Sequence, residues 1–165
     1  MNFHEGDTVM HWSYGLGQIL RLEERDLSGV KTLFYEVRIR DLTVWVPSDA
    51  ELEHRLRPPT SKRGFEELFA ILSNPGEPLP EDRQERRSRL MEYLKDGSTQ
   101  SLCRIISGLY AHRKLRSLNE NDQNILKQSR NALLGEWEFV LSITPAQAEH
   151  ELHHWLASEP AKTNE

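Results

Sequence analysis

The sequence predicts an α+β protein, strands first and helices after. Two observations carry this. Through the first sixty residues apolar side chains recur with a period of two, and beyond "RPPTSKRG" they recur at three and four residues. A change of period at two prolines and a glycine reads as a domain boundary. The expected units are therefore 1–60 and 61–157, with 158–165 as a disordered tail.

The strands come in order. "DTVMHW" precedes Gly15 and Gly17, and "QILRLEER" runs to a turn around Ser28-Gly29. In "TLFYEVRI", Leu33, Tyr35, Val37 and Ile39 alternate with Thr32, Phe34, Glu36 and Arg38, as on a half-buried strand. Asp41 marks the turn into "LTVWVP". Four or five short strands in this length predict a small antiparallel SH3/Tudor-like β-barrel.

An all-α domain of about five helices is expected to follow. Phe65, Leu68, Phe69 and Leu72 fall on one helical face. After the break "SNPGEPLP", a second helix runs through "EDRQERRSRLMEYLK". Gly97-Ser98 separates it from Leu102, Ile105, Ile106, Leu109 and Tyr110, again at helical spacing. Asn119 is placed to cap a long helix reaching about Leu141. Thr144, Pro145 and Gln147 have the cap, first and third positions of a capping box that opens the last helix.

The totals exclude several classes. With 37% hydrophobic and 28% charged residues the chain reads as globular. A net charge of −5 argues against nonspecific nucleic-acid binding by the whole molecule, though not against a local basic patch. The single cysteine, Cys103, lies near Leu102 and Ile105 and is expected to be a buried thiol rather than half of a disulfide. No signal peptide or membrane span is expected, so the chain reads as cytoplasmic.

One motif invites an enzymatic reading. "HELHH", residues 150–154, satisfies the H-E-x-x-H pattern of zinc peptidases. In the last helix, however, Ala148, Leu152, Trp155 and Leu156 share one face, leaving His150, His153 and His154 on the other. A catalytic zinc requires three ligands in a cleft and supporting partners. The match is read as accidental: no enzyme, no metal, no cofactor and no small-molecule substrate are expected.

The first half carries a more specific signal. "FHEGDTVMHWSYGLGQILRLEERDLSG" followed by "FYEVRIRDLTVWVPSDAELEHRLRP" resembles the N-terminal module of the CarD family of bacterial transcription regulators, through Gly6, Asp7, Val9, Gly15, Gly17, Ile19, Glu23, Gly29, Val46, Pro47, Leu56 and Arg57. The second half is similar to that family's helical domain in "LMEYLKDGS", Leu109-Tyr110, Ser117-Leu118-Asn119 and "ALLGEWEF". These pieces are co-linear over nearly the whole chain. The transcription-repair coupling factor shares the barrel without this helical tail, so the helices favour the CarD type.

The resemblance implies a Tudor-like barrel that docks on the β subunit of RNA polymerase. It also implies a helical domain that contacts promoter DNA at the upstream edge of the bubble and alters open-complex stability. For the polymerase it points to Arg25, Thr43 and Trp45. An edge strand can be completed by a partner strand, and an exposed Trp45 would make a contact residue. A tryptophan lying flat on the barrel, and a solvated Arg25, are the plain alternatives. The family often has arginine where Trp45 stands, which makes the expected contact here more apolar.

For DNA the candidates are Arg83, Arg86 and Arg87 in "RQERRSR", and Arg113, Lys114 and Arg116 after Tyr110. The first group also reads as a solvated helix face paired along its length with Glu85 and Glu92. Arg83 stands where the family has a minor-groove tryptophan, and residues 76–100 contain no tryptophan. Arginine cannot unstack a base step, so DNA contact is expected to be weaker or more electrostatic. The alternative function is an adaptor that kept the polymerase dock and lost DNA binding.

Overall fold

The computed structural model describes residues 2–157, so the expected tail at 158–165 lies outside the described residues. The chain forms two compact units divided between Pro59 and Thr60.

The first unit is a five-stranded antiparallel sheet in the order β4-β3-β2-β1-β5. Its elements are β1 (Thr8–His11), β2 (Gly15–Leu27), β3 (Val30–Ile39), β4 (Leu42–Pro47), a short α1 (Leu52–Arg55) and β5 (Leu56–Arg57). Val46 of β4 and Leu56 of β5 share one core cluster with Val9, Ile19, Tyr35 and Val37, so the sheet curls until its two edge strands face the same interior. Gly17 lets β2 lie close against β3. A Cβ there would lie 2.6 Å from Ile39 Cγ1 and 2.9 Å from Arg38 O.

The alternation expected in β3 holds for Tyr35, Val37 and Ile39 but not for Leu33, which is 44% exposed. β2 and β3 stay paired out to Leu27↔Val30, whereas β4 pairs β3 only as far as Phe34↔Pro47. The two strands thus continue as an arm beyond the sheet, and Leu33 lies at its root, where Ser48 N still donates to Leu33 O at 2.8 Å. A two-residue turn closes the arm, with Ser28 and Gly29 both at positive φ (54° and 83°), as the twist of a tight hairpin requires.

His11, at the end of β1, is 7% exposed. Its Nδ1 accepts from the backbone N–H groups of Ser13 and Tyr14, both at 3.1 Å, so the ring is held neutral. Burial pushes its pKa down to about 4. Between that value and 6.5 the unfolded chain carries a proton that the folded chain lacks, so stability falls as pH falls. The loss should reach about 2 kcal/mol at pH 5. Urea denaturation at pH 7 and pH 5 should show it in the wild type but not in His11→Asn, which keeps an acceptor and cannot titrate. An equal pH dependence in both proteins would remove His11 as the cause.

The second unit contains α2 (Lys62–Glu67), α3 (Phe69–Ser73), α4 (Arg83–Asp96), α5 (Thr99–Leu115), α6 (Glu120–Leu141) and α7 (Pro145–Ala157). The first expected helix is divided at Leu68. There the backbone shifts to tighter bonds, Leu68 N to Phe65 O and Ile71 N to Leu68 O. Phe65 and Leu72 nevertheless bury against Ile106, Leu133, Trp137 and Leu152. A second cluster joins Leu90 and Leu94 of α4 to Ile105 and Leu109 of α5.

Both expected caps form. Asn119 Oδ1 accepts from Asp122 N at 2.8 Å while Asp122 Oδ2 accepts from Asn119 N at 3.1 Å. Thr144 and Gln147 exchange the equivalent bonds at 3.0 and 3.2 Å. Cys103 is buried, 1% exposed. Among the described residues no helix is long and apolar enough to cross a membrane.

Candidate functional site

The structure brings Arg25 to Trp45 on the sheet, and Arg113 and Lys114 to Tyr110 on the helical unit. On the sheet, Glu36 lies between Arg21 of β2 and Trp45 of β4 in register. Arg21 Nε donates to Glu36 Oε2, and this bond, then the Glu36 charge, raises the guanidinium pKa above its ordinary value. Trp45 projects from the face opposite Val44 and Val46 and is half-buried. Its cover is Arg25, reaching in from the arm with Cζ 3.7 Å from the ring centroid. Glu23 Oε2 lies 4.0 Å from Arg25 Nη2, at the outer limit of an ion pair. Thr43 is exposed two residues before Trp45 and stands opposite Arg38.

The half-buried Trp45 ring forms one stacked unit with Arg25. Beside it, among the described residues, β4 has β3 as its only strand neighbour, so the sheet leaves its outward edge open.

On the helical unit the arginines of α4 separate. Arg83 and Arg87 are exposed, but Arg86 is 5% exposed and ion-paired to Asp122, which is 1% exposed, at 2.9 Å. Its remaining donors meet Pro80 O and Glu81 O at 3.3 and 3.0 Å. The expectation of Arg86 as a DNA contact is thus corrected: its guanidinium is consumed inside the fold. Arg86 falls four residues before Leu90 and eight before Leu94, on the buried stripe of α4.

At the end of α5, Arg113 Cζ and Lys114 Nζ lie 5.2 and 5.0 Å from the Tyr110 ring centroid. Arg116 Nη2 is 3.3 Å from Glu81 Oε1 at an exposed position. Arg113 also lines an open groove with Leu126, Lys127 and Arg130 of α6. Sequence reasoning missed Lys127 and Arg130 as site residues; their i,i+3 spacing on one face was the available signal. Arg130 carries a carboxylate partner, Glu149 Oε1 at 2.9 Å. The flat ring beside these cations, Tyr110, is capped by them, and the apolar Leu115 next to them is 79% exposed.

On α7, Ala148 and Leu152 are fully buried while His150, His153 and His154 are exposed. Among the described residues no group of three or more His, Cys, Asp or Glu is arranged to hold a metal ion.

Comparison with known proteins matches both units. Residues 3–58 match the family described as "CarD-like/TRCF RID domain", and residues 67–153 match "CarD, C-terminal domain". The chain belongs to the CarD family. It is a transcription regulator of that kind, with a Tudor-like sheet followed by the CarD helical domain. It is also similar to "Putative transcription factor YdeB" of Bacillus subtilis (strain 168), 24% identical over 147 residues, which cover 88% of this chain and 96% of that protein.

Proposed function

We propose that this CarD-family protein docks on the β subunit of bacterial RNA polymerase through β4 and the Arg25–Trp45 pair. Its helical unit then meets promoter DNA at the upstream edge of the bubble and modulates open-complex stability. The observation that carries the reading is the free edge of β4 lying beside a cation stacked on an aromatic ring. An edge strand supplies backbone hydrogen bonds to a partner strand, and the side chains next to it supply selectivity. Thr43 is exposed on the same strand and completes this surface.

DNA contact is assigned to Arg113 and Lys114, joined by Lys127 and by the exposed Arg83 and Arg87. Arg116 can join by exchanging Glu81 for a phosphate, an exposed pair that costs little to break. Each neutralised phosphate adds about −0.9 to the slope of log affinity against log salt. Lys127→Gln should therefore weaken duplex binding similarly across sequences and reduce that slope by about 1. An unchanged slope would take Lys127 out of the interface.

The deciding experiment pairs retention of the isolated polymerase β lobe with duplex binding in low salt. Retention of the lobe and a salt-dependent duplex affinity support the full reading. Retention without any duplex affinity selects the adaptor that lost DNA binding. Failure to retain the lobe overturns the docking proposal.

A further inference from the structure

The fourth arginine of the α4 cluster has a different destination from the other three. Arg89 of α4 and Arg104 of α5 line one cavity of about 250 Å³. Tyr93, one turn after Arg89, and Glu77 of the preceding loop also line it. Gly108, one turn after Arg104, lets the loop close in. A Cβ at Gly108 would meet Leu79 side-chain carbons at 3.3 Å, so the absence of one lets Leu79 lie directly against α5.

Both arginines are half-buried. Among the described residues neither has a carboxylate within 4.0 Å, unlike Arg86, Arg116 and Arg130. A half-buried arginine with no carboxylate in ion-pair range has a charge that a bound anion would pair. Two planar forks on facing helices suit the bidentate recognition of phosphate oxygens. The size narrows the ligand. The cavity lies below the roughly 300–1,000 Å³ of pockets that enclose drug-sized molecules.

We propose that this cavity binds the phosphate of a small phosphomonoester, with whatever the phosphate is attached to left at the rim. Two features disfavour a DNA backbone as the source. An internal phosphodiester is flanked by sugars on both sides and cannot insert end-on, and the exposed Glu77 on the same lining opposes a polyanion.

The test is calorimetric titration of the full chain with inorganic phosphate and, separately, with adenosine monophosphate, alongside duplex binding. The wild type should bind both, and Arg89→Gln and Arg104→Gln should each weaken them by about tenfold or more. Glu77→Gln should tighten both by about threefold, because it removes a like charge. That gain cannot arise from a damaged fold. Adenosine monophosphate binding more tightly than phosphate would identify a nucleotide as the ligand; equal affinities would mean that the phosphate alone is read. Absence of binding at millimolar ligand overturns the proposal, as does binding that ignores both arginine substitutions. So does loss of duplex binding in the arginine variants of a protein without phosphate affinity, which would assign the pair to the DNA surface.

Discussion

Asp122→Ala is expected to destabilise the helical unit by about 3–5 kcal/mol, the range for breaking a buried ion pair from one side. Asp122 Oδ1 and Oδ2 accept from Arg86 Nε at 3.0 and 3.1 Å, and Oδ2 also accepts from Nη2 at 2.9 Å. The same carboxylate closes the capping box of α6. Its removal strands a guanidinium at 5% exposure and leaves the Asn119 N–H without its acceptor. Arg86→Ala should cost a similar amount and release Pro80 O and Glu81 O as well. Replacing both residues, as Arg86→Met with Asp122→Leu, should cost clearly less than the sum of the single changes, because no unpaired charge remains. Helical circular dichroism during urea denaturation reads this, since α2 to α7 lie in the second unit. Single losses below about 1 kcal/mol would mean that water enters and screens the pair. Loss of DNA binding by Arg86→Ala should track the unfolded fraction rather than the salt slope.

That pair marks the boundary of what the sequence revealed. Local chemistry made the caps of α6 and α7 legible, though not the break at Leu68. Asn119, Thr144 and Gln147 name their own caps, and Gly97, at φ 68°, ends α4 because a left-handed residue is needed there. Where partners are distant, the reading stopped short. Four arginines in "RQERRSR" look alike in a charge count, yet Arg86 turns inward to a carboxylate 36 residues away, Arg89 lines a cavity, and Arg83 and Arg87 face solvent. The i,i+4,i+8 series Arg86, Leu90, Leu94 already held the inward assignment, but a charge on a core stripe is read as exposed until its counter-charge is found. Leu33 failed for a related reason. Alternation reports a face, whereas burial also needs a neighbouring strand, and β4 stops before it can cover the arm.

Arg25 and Trp45 should show coupled, not additive, losses in affinity for the polymerase β lobe. Trp45→Ala removes the platform on which Arg25 stacks, so it both deletes an aromatic contact and frees the guanidinium. Arg25→Ala uncovers the ring but leaves it on the sheet beside the β4 edge. A central aromatic anchor is worth about 2 kcal/mol or more at an interface, or roughly thirtyfold in affinity. Trp45→Ala should therefore lose at least tenfold, and Arg25→Glu more, since it turns a cation into an anion beside Glu23. The double alanine variant should be only slightly worse than Trp45→Ala, because Arg25 depends on the ring for its position. Thr43→Ala should be milder, as a small exposed side chain away from the stack. Strict additivity would mean that the two side chains meet the partner separately and that the 3.7 Å stack is dissolved on binding. Wild-type affinity in Trp45→Ala would shift the dock away from β4, leaving the aromatic turn of Trp12 and Tyr14, 39% and 52% exposed, as the next surface to substitute.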